Sequence, residues 1–484
     1  MQARFMLVAL LVAAGPTGPV PAPAQQPTDT RRAIESLRFP PLRFNPPLPK
    51  RVKLSNGVPV YLLVDKSLPL LQVTFVSKAG VAHLPDSMWS AGWQADNMIR
   101  TGGTNQLSPD SVDKLLEFYA VQFQVNTENE LSQGFVSGLS RYRDQMLDLA
   151  FDLLRNPRND TSRIRVLAAQ QEENWRRRND QPSSVLQRAW NQVMLDDHPL
   201  GRTLVRPEEI QGFAPQRFKW TEERIFCPEN LLLGVSGDFD ERPLLAKLES
   251  LFKGWARCKS GLRQLPPVKF ADGPQTVLVE KDLNQTSIRM GHAGGLRVAN
   301  TPEYFASTVA NFLLGGGSGF SSRLLQRVRS DSGFAYSVFS FWEATPKREG
   351  QFAAGAQVRA EKTVAALRLI RQIVGSMATE PVTATDVRLA RDNRVNSFVF
   401  QFENAGQIVS QQLSFAVNGL PPNWFDIYLQ GIQKVTPEQV NGVSTRYLHP
   451  KRLVTVVVGK PSAFDGPLSE YGPVTMLPVD SIRR

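Results

Sequence analysis

One segment occurs twice in the chain. It reads IQGFAPQRFKWTEERIFCPENLLLGVSG at residues 210–237 and IQKVTPEQVNGVSTRYLHPKRLVTVVVG at residues 432–459. Such a repeat predicts a chain made of two copies of one domain, and each copy is expected to end in a helix, a turn and an apolar strand. Pairs of identical residues with a spacing of 222 positions include Ile210 and Ile432, Pro215 and Pro437, Pro228 and Pro450, and Gly237 and Gly459.

The repeat sets the predicted domain boundaries. A chain of 484 residues is too long for one ordinary hydrophobic core. We predict the first domain at residues 45–254 and the second at residues 276–460. A linker at residues 255–275, rich in proline, glycine and basic residues, joins them, and residues 461–484 form a C-terminal tail.

Strand and helix patterns mix within each copy, which predicts an α+β fold. Val58 to Val64 and Leu71 to Ser77 are rich in β-branched residues. Ser108 followed by Pro109 is typical of a helix start, with the helix running toward Tyr119. In the second copy the predicted elements are strands at Thr286 to Gly291 and Ala335 to Phe341, and helices at Pro302 to Leu314 and Glu361 to Met377.

The composition is that of a soluble globular protein, with 42% hydrophobic and 21% charged residues. The net charge of +11 raises the question of a nucleic-acid partner. The basic residues are dispersed, however, and the densest run, Arg176 to Arg178, lies between acidic neighbours. We interpret that run as a solvated helix face, and we expect no nucleic-acid partner.

The N-terminus has the pattern of a secretory signal peptide. Arg4 precedes an apolar stretch from Phe5 to Ala14, and an A-x-A site follows at Ala22 to Ala24. We predict a signal peptide at residues 1–24 and a linker at residues 25–44. The apolar stretch is too short to span a bilayer, and no longer one follows. The mature chain is therefore expected in the periplasm or secreted.

The chain has two cysteines, Cys227 and Cys258. An oxidising compartment would allow a disulfide between them. Cys227 opens an apolar segment, so a buried thiol is an equal alternative, and the sequence leaves both open.

The most distinctive stretch for function is LLGGGSGFSSRLLQRVRSDSGFAYSVFS, residues 313–340. It contains no lysine, so it is not a P-loop, and Phe320 stands where a dinucleotide fingerprint needs glycine. On composition alone it would be a flexible loop before a helix.

This stretch resembles the second domain of the insulinase, pitrilysin and mitochondrial processing peptidase family of zinc peptidases. In that family a glycine-rich loop leads into an S-R-L-x-x-x-x-R helix and then G-(L/F)-A-Y-S-V. The resemblance covers roughly Asn45 to Lys460. It implies two tandem homologous domains, each a mainly antiparallel sheet packed with helices, that form half of a clam-shell chamber around a peptide.

The resemblance also assigns roles to individual residues. The family's Arg and Tyr correspond to Arg329 and Tyr336, whose donor groups would hold a peptide carbonyl and stabilise its oxyanion. The alternative is a surface Arg and a core Tyr. The glycine-rich loop would bind substrate through Gly315, Gly316, Gly317, Ser318 and Gly319.

The first domain departs from the family at the metal. The family carries H-x-x-E-H on a helix, in which two His bind zinc and the Glu activates water. Counting back from Gly103 places Gln94, Asn97 and Met98 at those positions, and a one-residue slide gives Trp93, Asp96 and Asn97. Glu172 or Glu173 stands near the third-ligand position, and we take Glu173. The metal site is degenerate, and we expect no cofactor in this chain.

We therefore predict a non-catalytic subunit of a heterodimeric zinc peptidase. The partner would be a homologous subunit that carries the zinc, and the substrate a peptide or unfolded polypeptide. The alternatives are a stand-alone peptide-binding or scaffolding protein, and an independent hydrolase with unorthodox ligands.

Overall fold

A computed structural model describes residues 46–317 and 322–483. The predicted signal peptide and the linker at residues 25–44 lie outside the described residues, as do Ser318 and Gly319 of the glycine-rich stretch. In the described part of the chain, no helix combines the length and the apolar character that crossing a membrane requires.

The first half is built on a six-stranded sheet in the order β1-β2-β6-β3-β5-β4. Its neighbouring strands run antiparallel except β2 and β6, which are parallel. The strands are β1 (Lys50–Lys53), β2 (Pro59–Val64), β3 (Leu70–Ser77), β4 (Gln122–Thr127), β5 (Ser132–Leu139) and β6 (Leu231–Gly237). The helices are α1 (Asp86–Trp93), α2 (Ala95–Thr101), α3 (Pro109–Phe118), α4 (Arg143–Arg155), α5 (Thr161–Arg176), α6 (Pro182–Leu195), α7 (Pro207–Ile210), α8 (Pro215–Ile225) and α9 (Glu241–Phe252).

The second half has a six-stranded sheet in the order β12-β7-β11-β8-β10-β9. The β7 strand is parallel to β11 and β12, and the other neighbours are antiparallel. The strands are β7 (Gln275–Glu280), β8 (Gln285–Ala293), β9 (Ala335–Ala344), β10 (Glu349–Arg359), β11 (Val454–Gly459) and β12 (Val474–Met476). The helices are α10 (Pro302–Asn311), α11 (Thr363–Thr379), α12 (Ala384–Val399), α13 (Ala405–Val417), α14 (Trp424–Gln433) and α15 (Pro437–Tyr447).

The two sheets share one topology once the outer strands β1 and β12 are set aside. The five remaining strands follow one order in both halves: first, last, second, fourth and third. This confirms the predicted α+β fold of two homologous domains with mainly antiparallel sheets.

The repeated segment takes the same place in both halves. Pro215 and Pro437 are the first residues of α8 and α15, where a missing N–H costs no hydrogen bond and the fixed φ suits a helix. Gly237 and Gly459 end β6, which lies between β2 and β3, and β11, which lies between β7 and β8. The prediction from the 222-residue spacing is confirmed.

Each half supplies a helix to the other half's sheet. The α6 helix of the first half packs on β8 and β11, where Val185 and Trp190 join a core with Val454 and Val456. In return, α13 of the second half packs on β2, β3 and β6. The hydrophobic cores of the two halves are therefore completed reciprocally.

Glycines in the two sheets allow α13 and α6, the helices supplied by the opposite half, to pack closely. A Cβ at Gly234 would lie 2.2 Å from Val409 Cγ1 of α13, and one at Gly291 would lie 2.9 Å from Trp190 Cη2 of α6. Atoms cannot approach so closely, so a side chain at either position would push the helix off the sheet.

The individual elements agree with their predictions to within a few residues. Ser108 caps α3 through a hydrogen bond that its hydroxyl accepts from the Ser111 N–H. The helix predicted at Pro302 to Leu314 ends as an α-helix at Asn311, and a π-helical turn at Phe312–Gly316 continues it. Gly315 and Gly316, with low helix propensity, mark its end.

The linker between the halves is fastened to the first half. Residues 255–274 have no regular secondary structure. Cys227 and Cys258 form a disulfide, which decides between the two alternatives that the sequence left open. Beside it, Arg224 Nε donates to Ser260 O at 2.7 Å. The exact domain boundaries stay predictions.

Candidate functional site

The glycine-rich stretch begins within a π-helical segment, Phe312–Gly316, and a second π-helical segment, Leu325–Asp331, follows it in the sequence. At its base, Ser340 Oγ of β9 donates to Asn311 Oδ1 at 2.8 Å. A Cβ at Gly316 would lie 2.2 Å from Asn311 Nδ2, and one at Gly315 would lie 2.9 Å from Ser340 N and Oγ. The glycines therefore let the backbone pass close to β9. Single π-helical turns are frequent at functional sites.

Arg329 and Tyr336 are adjacent in space. Arg329 lies in the second π-helical segment, and Tyr336 is the second residue of β9. The Arg329 Cζ lies 5.3 Å from the centroid of the Tyr336 ring. The Tyr336 side chain is 79% exposed, so it is not a core residue. The pair presents guanidinium and phenol donors at the surface of the second half.

The segment that carries Arg329 is anchored to the end of α11. Arg323 Nη1 donates to Ser376 O at 2.9 Å, and Arg323 Nη2 donates to Glu380 O at 3.0 Å. Arg327 Nη2 donates to Glu380 Oε2 at 2.8 Å, and this hydrogen bond is the main cause that lowers the pKa of Glu380. Arg327 of the segment and Arg323 just before it are thus both hydrogen-bonded to one helix terminus, which restricts the positions open to Arg329.

In the first half, the residues predicted at the H-x-x-E-H positions form a polar and apolar contact between helices. Gln94 separates α1 from α2 with φ −112° and ψ 6°, outside the helical range. Its Oε1 accepts a hydrogen bond from Gln171 Nε2 of α5 at 3.2 Å. Met98 is fully buried, in a cluster with Ile164, Leu167 and Phe218.

The Glu173 side chain forms no hydrogen bond with Gln94. Its carboxylate is exposed and pairs with Arg176 and Arg177, and the hydrogen bond from Arg177 is the main cause that lowers its pKa. Gln171 occupies the facing position because it lies one turn beyond Leu167 on the buried face of α5. The residue count that predicted Glu173 did not specify which residues of α5 face Gln94.

Asp96, from the alternative register, points to the edge strand of the first sheet. Its Oδ2 accepts a hydrogen bond from the Thr127 N–H of β4 at 3.4 Å, and its Oδ1 accepts one from the Asn97 N–H at 2.7 Å. Burial raises the pKa of Asp96. The Asn97 side chain accepts from the Thr101 hydroxyl at 3.2 Å. Both polar groups therefore have local structural partners.

The donor set at this position does not fit zinc. Two amides and a buried thioether are weak ligands, and the carboxylate that would strengthen them points to solvent. Across residues 46–317 and 322–483, one group of three His, Cys or acidic side chains has ligand atoms close enough to share an ion: Cys227, Glu229 and Cys258. Both of its sulfurs are in the disulfide.

Comparison with known proteins is consistent with this site. Residues 222–394 match the model of the peptidase M16 inactive domain. The chain is 25% identical over 323 residues to an uncharacterized zinc protease of Mycobacterium leprae, covering 65% of this chain and 70% of that protein. It is 22% identical over 342 residues to the non-peptidase homolog YmxG of Helicobacter pylori, covering 70% and 77%.

Solved structures share the fold. A peptidase M16 inactive domain from Pseudomonas fluorescens superimposes with a TM-score of 0.75 at 18% identity, covering 85% of this chain and 98% of that one. The periplasmic protease PqqL from Escherichia coli gives 0.73 at 16% identity, covering 90% and 51%. The fold is thus that of the M16-like clam-shell peptidases. The chain is thus similar to the M16 peptidase family, and it lacks the H-x-x-E-H motif.

Proposed function

We propose that this chain is a non-catalytic subunit that completes the active site of a zinc-bearing M16 partner. The observation that carries the proposal is the contrast between its two halves. The second half presents Arg329 against an exposed Tyr336 on an anchored segment. In the first half, the predicted motif positions hold Gln94, which hydrogen-bonds to Gln171, and the buried Met98.

The proposed contribution of this chain is to bind and orient the peptide. The Arg329 guanidinium and the Tyr336 hydroxyl are donors suited to a peptide carbonyl whose oxygen gains charge during attack. Gly315 to Gly317 would let the substrate backbone approach β9. The partner's zinc would supply the activated water.

Independent hydrolysis by this chain is not supported by its residues. Asp96 is the acidic residue among the motif positions of the two registers, and its oxygens accept the Asn97 and Thr127 backbone N–H groups. The name of the H. pylori relative, a non-peptidase homolog, agrees with a non-catalytic member. The alternative of a stand-alone peptide-binding protein uses the same surface without a partner.

The location of the mature chain is proposed to be the periplasm. The signal-peptide pattern at residues 1–24 supports this, and the E. coli structural neighbour is a periplasmic protease. In the same compartment the disulfide between Cys227 and Cys258 would persist.

Reconstitution tests the proposal. The chain and each M16 chain of its own host that carries H-x-x-E-H would be purified separately, and hydrolysis of a quenched fluorescent peptide library measured for each alone and for the mixtures. We expect chelator-sensitive hydrolysis in one mixture and none from this chain alone. Chelator-sensitive hydrolysis by this chain alone would overturn the proposal. If every zinc-bearing chain were fully active alone and unchanged by mixing, the stand-alone binding protein would be favoured instead.

A further inference from the structure

Arg289 lies on the face of the second sheet that α6 partly covers. It is on β8, opposite Gly355 of β10, and Gly355 is opposite Phe339 of β9. The Arg289 Cζ lies 5.5 Å from the ring centroid of Trp190 and 5.7 Å from those of Phe339 and Phe341. Three aromatic rings therefore surround one guanidinium.

Glu343 attracts this guanidinium electrostatically, without an ion pair at contact distance. Nη1 donates to Gln187 Oε1 of α6 at 2.9 Å, and Nε is buried without a hydrogen-bond partner in the described part of the chain. Glu343 lies on the same face of β9, yet none of the described carboxylates comes within 4.0 Å of Arg289. Burial lowers the pKa of Arg289 to about 10, which still leaves it cationic at neutral pH. A half-buried cation with one neutral partner is unfavourable unless an anion joins it.

The same face is open on the side toward Tyr336. Trp190 covers Gly291, one row of the sheet away from Arg289. On the other side of Arg289 along the strands, the next pair of facing residues on this side of the sheet is Gln357 of β10 and Ser337 of β9, and both are exposed. Tyr336 precedes Ser337 on β9. The pairing of β9 with β10 shifts its register at Tyr336, so a peptide bound at Tyr336 would have to cross the edge strand β9 to reach Arg289.

We propose that Arg289 is a subsite for a carboxylate of the bound peptide, either its C-terminal group or an acidic side chain. Arg presents two parallel N–H groups that match a carboxylate, and aromatic walls exclude water from such a pair. Gln187 holds Nη1 and so fixes the plane of the guanidinium. This inference rests on the peptide-binding part of the proposed function, and it does not involve the partner or zinc.

Direct binding to the purified chain tests the subsite. One apolar peptide with an N-terminal fluorophore would be made in three forms: a free acid, a C-terminal amide, and an amide whose last residue is glutamate. Fluorescence anisotropy at low salt gives each affinity. We expect the free acid, the glutamate form or both to bind about tenfold more tightly than the neutral amide. Preference for the free acid alone would identify the C-terminal group.

Variants assign the preference to Arg289. In Arg289→Met the preference should vanish while the affinity for the neutral amide stays unchanged, and Arg289→Lys should retain part of it. Arg359→Met is the matched control, since Arg359 is exposed at the end of β10 beside Glu361 and should leave the preference intact. The comparison of peptide forms needs only the wild-type chain, so it does not depend on how a variant folds.

The outcomes separate the subsite from the proposed function. Equal affinity of the wild-type chain for all three forms, no binding of any form, or a preference that survives in Arg289→Met would each overturn the subsite. None of these results bears on hydrolysis by a mixed complex, where the proposed function is tested.

Discussion

Asn159 and Glu222 form a buried acid–amide pair in the first half. Asn159 Nδ2 donates to Glu222 Oε2 at 2.9 Å, and the two side chains are 1% and 3% exposed. Glu222 Oε1 and Asn159 Oδ1 have no other hydrogen-bond partner in the described part of the chain. Burial raises the pKa of Glu222 to about 8. A proton on Glu222 would supply the missing donor to the Asn159 oxygen.

This pair predicts a loss of stability with rising pH. The folded-state pKa lies above the usual 4.5, so the stabilisation is fully present below pH 4.5 and is lost as the pH rises through about 8. Its size is on the order of a few kcal/mol. Glu222→Gln keeps an amide pair without titration and should flatten the pH dependence of the free energy of unfolding between pH 5 and 8, measured by urea denaturation. Glu117→Gln, at an exposed position of α3, is the control and should leave that slope unchanged.

Arg329→Ala and Tyr336→Phe should reduce hydrolysis by the mixed complex by about a hundredfold, the typical result of removing one oxyanion donor. The melting temperature should change little, because Tyr336 is exposed. The first half offers a matched control pair, Arg141 and Tyr142, with the Arg141 Cζ 4.8 Å from the ring centroid of Tyr142. Arg141→Ala and Tyr142→Phe should preserve activity. Full activity of the double variant at 329 and 336 would leave these residues without the proposed role.

Met98, at one of the predicted motif positions, should behave as a core residue and not as a metal ligand. Met98→His places a polar group among Ile164, Leu167 and Phe218 and should lower the free energy of unfolding by roughly 2–4 kcal/mol. Gln94→His should cost far less, since Gln94 is only partly buried. Denaturation midpoints and zinc content of both variants check this. A Met98→His chain as stable as wild type and loaded with zinc would show that the site remains preformed.

Gly234→Ala should disturb the seating of α13 on the first sheet, because its Cβ would meet Val409 Cγ1. We expect a loss of roughly 1–3 kcal/mol, as for overpacked cores. Adding Val409→Ala removes the clashing atom and should recover part of the loss, which a double-mutant cycle measures. If the losses in free energy of unfolding from Gly234→Ala and Val409→Ala were additive, the contact between residues 234 and 409 would not determine this packing.

The fold was largely predictable because residues that start helices and end strands are recognisable from the sequence alone. Pro215 and Pro437 start helices and Gly237 and Gly459 end strands, and each acts through its own backbone. The Arg329 and Tyr336 positions followed from a resemblance of contiguous sequence. Tyr336 is exposed, as a substrate-binding role requires, and the role itself stays a proposal.

The sequence by itself determined two homologous α+β domains and the absence of His and Glu from the motif positions. Tertiary structure decided the rest, because those features depend on residues far apart in the chain. Helix phase placed Gln171, not Glu173, against Gln94. The exchange of α6 and α13 joined residues of different halves. The disulfide, the Asn159 and Glu222 pair and the aromatic surroundings of Arg289 likewise exist only where the folded chain brings distant side chains into contact.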